Sequence, residues 1–270
     1  MRVPHVVLSC EDDKVIGAPF YVMEKVAGSV LRDSVPDSLD DPLAAHDIGS
    51  ELVTALAELH RVDHTKVGLE GFGKPTGYLQ RQLKRWSGQL ELATSVTAAS
   101  REVPVMFEVR DRLAQQVPDS PPAVVVQGDY KLDNVIFAPG SKARLAAILD
   151  WEMATIGDPL ADVGWMVSFW RQADDPPDPL HESLASITSR PGFMTRAELL
   201  DLYSSLTGTP TEGIRWYVAL AVWKLACLLE GSYGRHLLGT TDDPFFARLE
   251  TGVPDLGSAA LSILEGELAL

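Results

Sequence analysis

The hydrophobic period of the chain changes twice, and this change constrains the fold more than any other feature. From residue 41 to about residue 113, apolar residues recur at helical spacing, as in Ile48, Leu52 and Leu56. Between residues 123 and 149, three short runs rich in β-branched residues replace that period, and helical spacing then returns. A few strands embedded among many helices predict an α+β fold with a mainly helical large lobe.

The boundaries of several elements carry their own signals. Asp41-Pro42 is typical of a helix start, with a capping residue followed by proline at the first helical position. That helix is predicted to run to about His60. The first thirty residues are β-like, with candidate strands at Val6–Leu8, Val15–Gly17 and Phe20–Met23. The other predicted elements are helices near 79–90, 106–113, 163–170, 197–206 and 214–237, a shorter pair of helices towards residue 268, strands at 123–126, 135–137 and 145–149, and a proline-rich loop at 174–179.

Composition excludes several classes of function. The 270 residues include only two cysteines, Cys10 and Cys227, so neither a disulfide framework nor a cysteine-rich zinc site can form. Such cysteine usage fits a reducing compartment, and we expect a cytoplasmic protein. The net charge of −15 argues against a nucleic-acid partner or an anionic membrane surface. The longest apolar stretch, Tyr217–Leu229, is interrupted by Lys224 and is too short to cross a bilayer.

The residues that carry chemistry lie between and after the short central strands. Phosphoryl transfer needs a group that orients the acceptor hydroxyl, and oxygen ligands for the magnesium ions that hold the phosphates. Asp129, preceded by Gly128, can orient the acceptor, and Asn134 and Asp150 can ligate Mg²⁺. Lys131 stands two residues after Asp129, where a cation can meet the transferred phosphoryl group. An isolated Asp-x-x-x-x-Asn is common in surface turns, but this one is followed by a β-run and by Asp-Trp-Glu at the next strand end.

This arrangement resembles the aminoglycoside-phosphotransferase-like kinases, a family that includes choline kinases. Their catalytic loop is His-Gly-Asp-x-x-x-x-Asn, followed by a strand ending in Asp-Trp-Glu; here the loop is Gln127–Asn134, with Gln127 in place of histidine. The segment from Asp150 to Trp165 resembles the branch associated with acyl-CoA dehydrogenases. The resemblance implies a protein-kinase-like two-lobe fold, ATP and Mg²⁺ as cofactors, and a small-molecule hydroxyl as acceptor. It also places a hinge at Phe20–Gly28, where the backbone of Glu24, Lys25 and Val26 would pair with adenine.

Other conspicuous residues favour structural roles. Asp158 precedes a proline, as helix caps do, and Asp162 is placed to hold the catalytic loop by hydrogen bonds. Asp133 is predicted to be a turn residue and His60 a last-turn residue of its helix. The tryptophans at positions 151, 165 and 170 are predicted to pack in the core or between lobes.

The start of the sequence departs from the family pattern. The glycine-rich turn, the strand lysine and its partner glutamate of such kinases do not precede Val3, and Lys14 and Lys25 lie too late to replace that lysine. We therefore expect an incomplete N-terminal β lobe in residues 1–27, including the hinge, and a helical C-terminal lobe in residues 28–270. A misassigned start, a fragment and a degenerate kinase are the three explanations that stay open.

Two consequences follow from an incomplete lobe. The chain as given should bind ATP poorly, and it should self-associate through the uncovered sheet edge, where Val7, Ile16 and Tyr21 are expected to face water.

The leading hypothesis for the function is an ATP-dependent small-molecule kinase, and its alternative is a truncated, catalytically impaired kinase-like binding module. A metal-dependent phosphohydrolase is the weaker third hypothesis, because no Asp-x-Asp pair or histidine-rich cluster accompanies the acidic residues.

The acceptor is the least constrained part of this hypothesis. The segment after Asp150 resembles the metabolic branch more than the resistance enzymes, so we expect a hydroxylated acid, or its CoA thioester, rather than an aminoglycoside. Its site is expected among the C-terminal helices, with lining residues from 176–192 and from the helix 217–233.

Overall fold

The computed structural model describes residues 1–140, 142–177, 180, 187–241 and 243–270. It has a mixed α+β architecture in which helices dominate, as the change of hydrophobic period predicted. The described helices are α1 (Pro42–His60), α2 (Tyr78–Thr97), α3 (Pro104–Gln115), α4 (Pro159–Ser168), α5 (Arg196–Thr207), α6 (Ile214–Leu237) and α7 (Leu249–Glu265), and the strands are β1 (Val6–Cys10), β2 (Phe20–Met23), β3 (Val124–Val126), β4 (Val135–Phe137), β5 (Leu145–Ile148) and β6 (Thr155–Gly157).

Helix α6 is the central element of the helical core. It packs against α2, α4 and α7 and is buried along most of its 24 residues. Trp216 and Trp223 fill the space between α6 and α3, and their indole N–H groups donate to the carbonyl oxygens of Leu113 (3.1 Å) and Met106 (2.8 Å). Buried indoles that satisfy their N–H groups in this way contribute apolar area without an unpaired donor.

The predicted helix starts are confirmed by their capping bonds. The Asp41 carboxylate accepts from the backbone N–H groups of Leu43 and Ala44 at the start of α1, and Pro42 occupies the first helical position. Asp158 caps α4 in the same way, accepting from the N–H of Leu160 at 2.9 Å. Each cap satisfies donors that the helix itself leaves unpaired.

The strands form three separate antiparallel pairs, β1–β2, β3–β6 and β4–β5. Strand β6 was not predicted from the sequence; it pairs with β3 and so closes the loop that follows Asp150. The predicted strand at Val15–Gly17 is wrong, because these residues lie in a turn. The turn is closed by a bond from Gly17 N to Asp13 O (2.7 Å), and Gly17 has a φ of +92°.

The end of the chain also differs from the prediction. One helix, α7, replaces the expected pair of shorter helices and continues through Pro254. Gly252 and Gly257 lie within α7 and allow close packing. A Cβ on Gly252 would lie 2.7 Å from a methyl group of Leu180, and one on Gly257 would lie 2.8 Å from a methyl group of Val105.

The N-terminal hairpin β1–β2 presents apolar side chains to solvent. Val7, Ile16 and Tyr21 are 61%, 66% and 58% exposed, as expected from the sequence. Just before the hairpin, Arg2 binds α1 through Glu51 (2.5 Å) and Glu58 (2.9 Å), and its carbonyl accepts from Ile148 N at 2.8 Å. Over the described ranges, no helix combines the length and apolar character needed to cross a membrane.

Candidate functional site

The loop between β3 and β4 is fixed at its start by a buried carboxylate. Asp162 of α4, 1% exposed, accepts from the backbone N–H groups of Gln127 (2.7 Å) and Gly128 (2.8 Å). Its Oδ2 also lies 3.3 Å from Nε2 of His60, whose Nδ1 meets the hydroxyl of Tyr203 at 2.7 Å. The structural role predicted for Asp162 is confirmed, and His60 supports it from the last turn of α1.

Gln127 connects this loop to the segment that contains Asp150. Its Oε1 accepts from Asp129 N at 2.7 Å, and its Nε2 donates to the carbonyl oxygens of Leu149 (2.9 Å) and Asp150 (2.6 Å). The side chain is fully buried and uses both ends of its amide. Because one carboxamide both accepts and donates here, glutamine can support the loop in the position where the family has histidine.

Gly128 allows the loop to turn tightly against the following segment. Its φ is +87°, a left-handed conformation that residues other than glycine rarely adopt. A Cβ at this position would lie 2.7 Å from the carbonyl oxygen of Met153. Both the backbone conformation and the lack of space for a Cβ therefore require glycine at the position before Asp129.

The Asp129 carboxylate is held by two hydrogen-bond donors. Its Oδ1 accepts from the indole N–H of Trp165 at 2.6 Å, and its Oδ2 accepts from Nδ2 of Asn134 at 2.7 Å. The ammonium of Lys131 lies 3.5 Å from Oδ1, and the Asp129 side chain is 21% exposed. Trp165 was predicted to be a packing residue, and it also has this direct contact that sequence reasoning missed.

Asn134 and Asp150 lie on neighbouring chain segments. The Asn134 carbonyl accepts from Leu149 N at 2.8 Å, which places Asp150 one residue beyond that contact. Asn134 Nδ2 faces Asp129, so its Oδ1 is on the other side of the amide and can coordinate a cation. Asp150 is exposed and has a φ of +58°, the left-handed conformation that usually favours glycine.

The oxygen atoms of the Asn134 and Asp150 side chains are suitable ligands for a hard cation such as Mg²⁺. An amide oxygen and a carboxylate oxygen are the ligands that Mg²⁺ accepts, with phosphate oxygens and water completing its shell. A group of three or more histidine, cysteine, aspartate or glutamate side chains able to hold a metal ion does not occur among the described residues. Asn134 and Asp150 alone leave most of the shell of a Mg²⁺ ion to phosphate oxygens and water.

Lys131 and Asp133 line a small crevice beside the loop. The crevice has a volume of about 20 Å³ and also includes Arg32 and Phe169. The Lys131 ammonium lies 4.7 Å above the Phe169 ring, and the Asp133 carboxylate lies 3.5 Å from Arg32. Burial raises the pKa of Asp133 above its ordinary value.

Lys224 of α6 contacts the loop that contains Asp129, and it was missed as a site residue. Its Nζ donates to the carbonyl of Gly128 at 2.8 Å and lies 4.0 Å above the ring of Trp165. The ring centroid of Trp86 is 5.5 Å away on α2. The only sequence signal was that Lys224 is the single charge within the apolar stretch of α6.

The segment predicted to be the hinge is connected to its neighbours by backbone hydrogen bonds. Glu24, Lys25 and Val26 follow β2, and Glu24 N donates to His5 O at 2.9 Å. Ser29 then forms an antiparallel bridge with Phe137, the last residue of β4. The segment thus runs from the hairpin to the strand that begins directly after Asn134.

A larger cavity of about 430 Å³ lies between α4, α6 and α7. Its walls combine apolar side chains with Arg171, Arg196, Asp255 and Glu267, and both arginines pair with the buried carboxylate of Asp175. Residues expected to line an acceptor site contribute to it, namely Pro176 and Pro177 from the loop and Val218 and Val222 from α6. Residues 178–179 and 181–186 of the predicted lining segment lie outside the described residues.

The fold and this loop together define a kinase-like domain of the phosphotransferase class. The chain belongs to the phosphotransferase enzyme family, whose model matches residues 1–185. The family resemblance inferred from the motifs is therefore confirmed.

Two relatives are similar to nearly the whole of this chain, one a curated protein and the other a solved structure. The human acyl-CoA dehydrogenase family member 11 is 33% identical over 261 residues, which cover 94% of this chain but only 32% of that protein. The chain thus spans about a third of the length of the curated relatives it matches. A Ralstonia eutropha protein assigned to the aminoglycoside phosphotransferases is 30% identical, with a TM-score of 0.81 and coverage of 97% of this chain and 78% of the other.

A more distant structure shares the fold alone. A thermostable mutant of the aminoglycoside phosphotransferase APH(4)-Ia, solved with AMP-PNP and hygromycin B, is 17% identical. Its TM-score is 0.60, and the match covers 98% of this chain and 78% of the other.

Proposed function

We propose that this chain transfers the γ-phosphoryl group of ATP to a hydroxyl group of a small molecule. The observation that carries the proposal is the Asp129 carboxylate, held from both sides by Trp165 (2.6 Å) and Asn134 (2.7 Å) on a loop that Asp162 anchors. A positioned carboxylate is the main group that such a reaction requires of the protein, because the transition state is loose. Positioning and charge neutralisation then account for most of the rate.

Four polar side chains have a role in this proposal. Asp129 accepts the proton of the acceptor hydroxyl while that oxygen forms its bond to the γ-phosphorus, and the bond from phosphorus to the bridging oxygen of ADP breaks. The ammonium of Lys131, 3.5 Å from Asp129, neutralises charge on the transferred group. Asn134 Oδ1 and the Asp150 carboxylate would hold Mg²⁺, which would supply positive charge to screen the phosphates.

The nucleotide is proposed to lie along the predicted hinge. The backbone of Glu24, Lys25 and Val26 would pair with the adenine edge, and the bridge from Ser29 to Phe137 supports this by joining that segment to β4. The APH(4)-Ia structure, which shares the fold, was solved with the nucleotide analogue AMP-PNP. The AMP-PNP of that neighbour supports ATP as the phosphoryl donor.

The proposed acceptor is a hydroxylated acid or its CoA thioester. Two cations, Lys131 and Lys224, lie close to Asp129 and disfavour a cationic acceptor such as hygromycin B, the ligand of that distant neighbour. The cavity between α4, α6 and α7 has apolar walls that suit an acyl chain. Its two arginines pair with Asp175, and Asp255 and Glu267 also line it, so its charges are balanced. The relatives at about a third identity carry the name of acyl-CoA dehydrogenases, which supports a metabolic acid over an antibiotic.

A transfer assay with a defined panel tests this proposal. The panel contains short-chain hydroxy acids, their CoA thioesters and hygromycin B, each with millimolar ATP and Mg²⁺. ADP release measures turnover, and ³¹P NMR identifies the phosphate ester. We expect ester formation with an acid or a thioester and none with hygromycin B. Ligand binding without any ester would contradict the proposal and favour a kinase-like binding module.

A further inference from the structure

We propose that Lys224 is a positioning residue of the phosphoryl-transfer step, whose ammonium group holds the Asp129 carboxylate in one orientation through Gly128 and Trp165. The inference rests on the proposed function and deepens it, because it assigns a control over the acceptor-orienting group. Lys224 touches neither Asn134 nor Asp150 in the hydrogen bonds of the described residues. Its action is therefore distinct from metal binding.

The contacts form a continuous path from α6 to Asp129. Lys224 Nζ donates to Gly128 O at 2.8 Å, which fixes the peptide that precedes Asp129. The same ammonium lies 4.0 Å from the centroid of the Trp165 ring, within the range of a cation–π interaction. The indole N–H of Trp165 donates to Asp129 Oδ1 at 2.6 Å. One cation thus acts on the backbone and on the side chain of the loop.

Packing alone does not explain a lysine at this position. The neighbouring positions of α6, Trp223 and Leu225, are buried and apolar, and an apolar side chain of the same length would fill the space between Trp86 and Trp165. Burying an ammonium costs free energy unless nearby groups stabilise its charge. Asp129 and Asp162 attract the ammonium and offset part of this cost.

The charge of Lys224 is sensitive to pH in the neutral range. Burial is the largest influence, and it lowers the pKa of Lys224 to about 8 against the attraction of the carboxylates. A lysine with a lowered pKa is charged below that value and neutral above it, so the cation–π contact is lost as pH rises through about 8. The charged or titratable groups that face Lys224 are Asp129 and Lys131 of the loop, Asp162 of α4, Arg85 and Tyr78 of α2, and Tyr217 of α6 itself.

The first test follows Mg·ATP hydrolysis, with water as the acceptor, as a function of pH. Lys224→Met should lower kcat about 10- to 100-fold at pH 7 and leave KM for ATP within about twofold. The wild-type rate should fall above about pH 8, and Lys224→Arg, which stays charged, should remove that fall. Arg85→Met is the matched control. It removes a neighbouring cation whose repulsion lowers the pKa of Lys224, so the fall should move to higher pH with the rate at pH 7 unchanged.

The second test does not depend on turnover. In protein labelled with ¹⁵N-tryptophan, the Trp165 indole resonance is assigned by its loss in Trp165→Phe. That resonance should titrate near pH 8 in the wild type and not in Lys224→Met. A Trp165 resonance that does not titrate, or a Lys224→Met variant with wild-type kcat, would overturn the inference. Titration of Trp165 in a protein that binds a panel ligand without forming any ester would instead leave the positioning contact intact and refute the proposed function.

Discussion

Replacing the buried anchor of the catalytic loop gives the sharpest test of how the fold positions the site. Asp162→Asn keeps the shape of the side chain but replaces one carboxylate oxygen with an amide N–H. In the wild type, each of the two carboxylate oxygens accepts from one backbone N–H group, from Gln127 or from Gly128. In the variant only one oxygen remains, so one of these N–H groups faces the amide N–H₂ and loses its acceptor. A hydrogen bond to a charged group contributes about 1.5–3 kcal/mol, and an unsatisfied buried donor costs about 1–3 kcal/mol. We therefore expect a loss of about 2–4 kcal/mol.

Thermal unfolding measures this loss. For a protein of this size about 1 kcal/mol corresponds to about 2–4 °C in Tm, so Asp162→Asn should lower Tm by about 5–15 °C. Asp133→Asn is the matched control, because it removes the same charge from the same loop. Its partner Arg32 is 63% exposed, so we expect a change of less than about 1 kcal/mol. Equal Tm values for the two variants would refute the view that Asp162 anchors the loop.

Two further predictions concern the metal ligands and the hairpin. Asn134→Ala and Asp150→Asn should each raise the Mg²⁺ concentration needed for half-maximal ATP hydrolysis by about tenfold or more, measured by Mg²⁺ titration; an unchanged requirement would exclude them as ligands. A triple variant with lysine at Val7, Ile16 and Tyr21 should abolish the self-association expected of the exposed hairpin, measured by light scattering. A wild-type chain that is monomeric at high concentration would contradict that expectation.

The elements that local chemistry determines were predictable from the sequence. Asp41-Pro42 and Asp158-Pro159 marked helix starts, because a cap and a proline act within one turn of chain. The grouping of Asp129 with Asn134 was predictable for the same reason, since a short loop brings residues five apart into contact. The wrong predictions were also local, as at Val15–Gly17, where β-branched residues lie in a turn that aspartates close.

Contacts between distant segments could not be predicted in the same way. Strand β6 is only three residues long, and its pairing with β3 is visible only in the folded chain. Trp165 is 36 residues from Asp129, and Lys224 is 96 residues from Gly128, so no spacing rule connects them. The apolar pattern of α6 predicted that the helix is buried. It did not indicate which loop the single lysine of that stretch contacts.

The most direct test of the central claim separates nucleotide binding from turnover at Asp129. Mg·ATP hydrolysis, and transfer to any acceptor the panel identifies, would be measured for the wild type and for Asp129→Asn at millimolar ATP. Binding of Mg·AMP-PNP would be measured by calorimetry in parallel. The account predicts a fall in kcat of about 10²- to 10⁴-fold, because general-base and orienting assistance are of that size, with nucleotide affinity changed by less than about threefold. An Asp129→Asn variant that turns over at the wild-type rate would contradict the account.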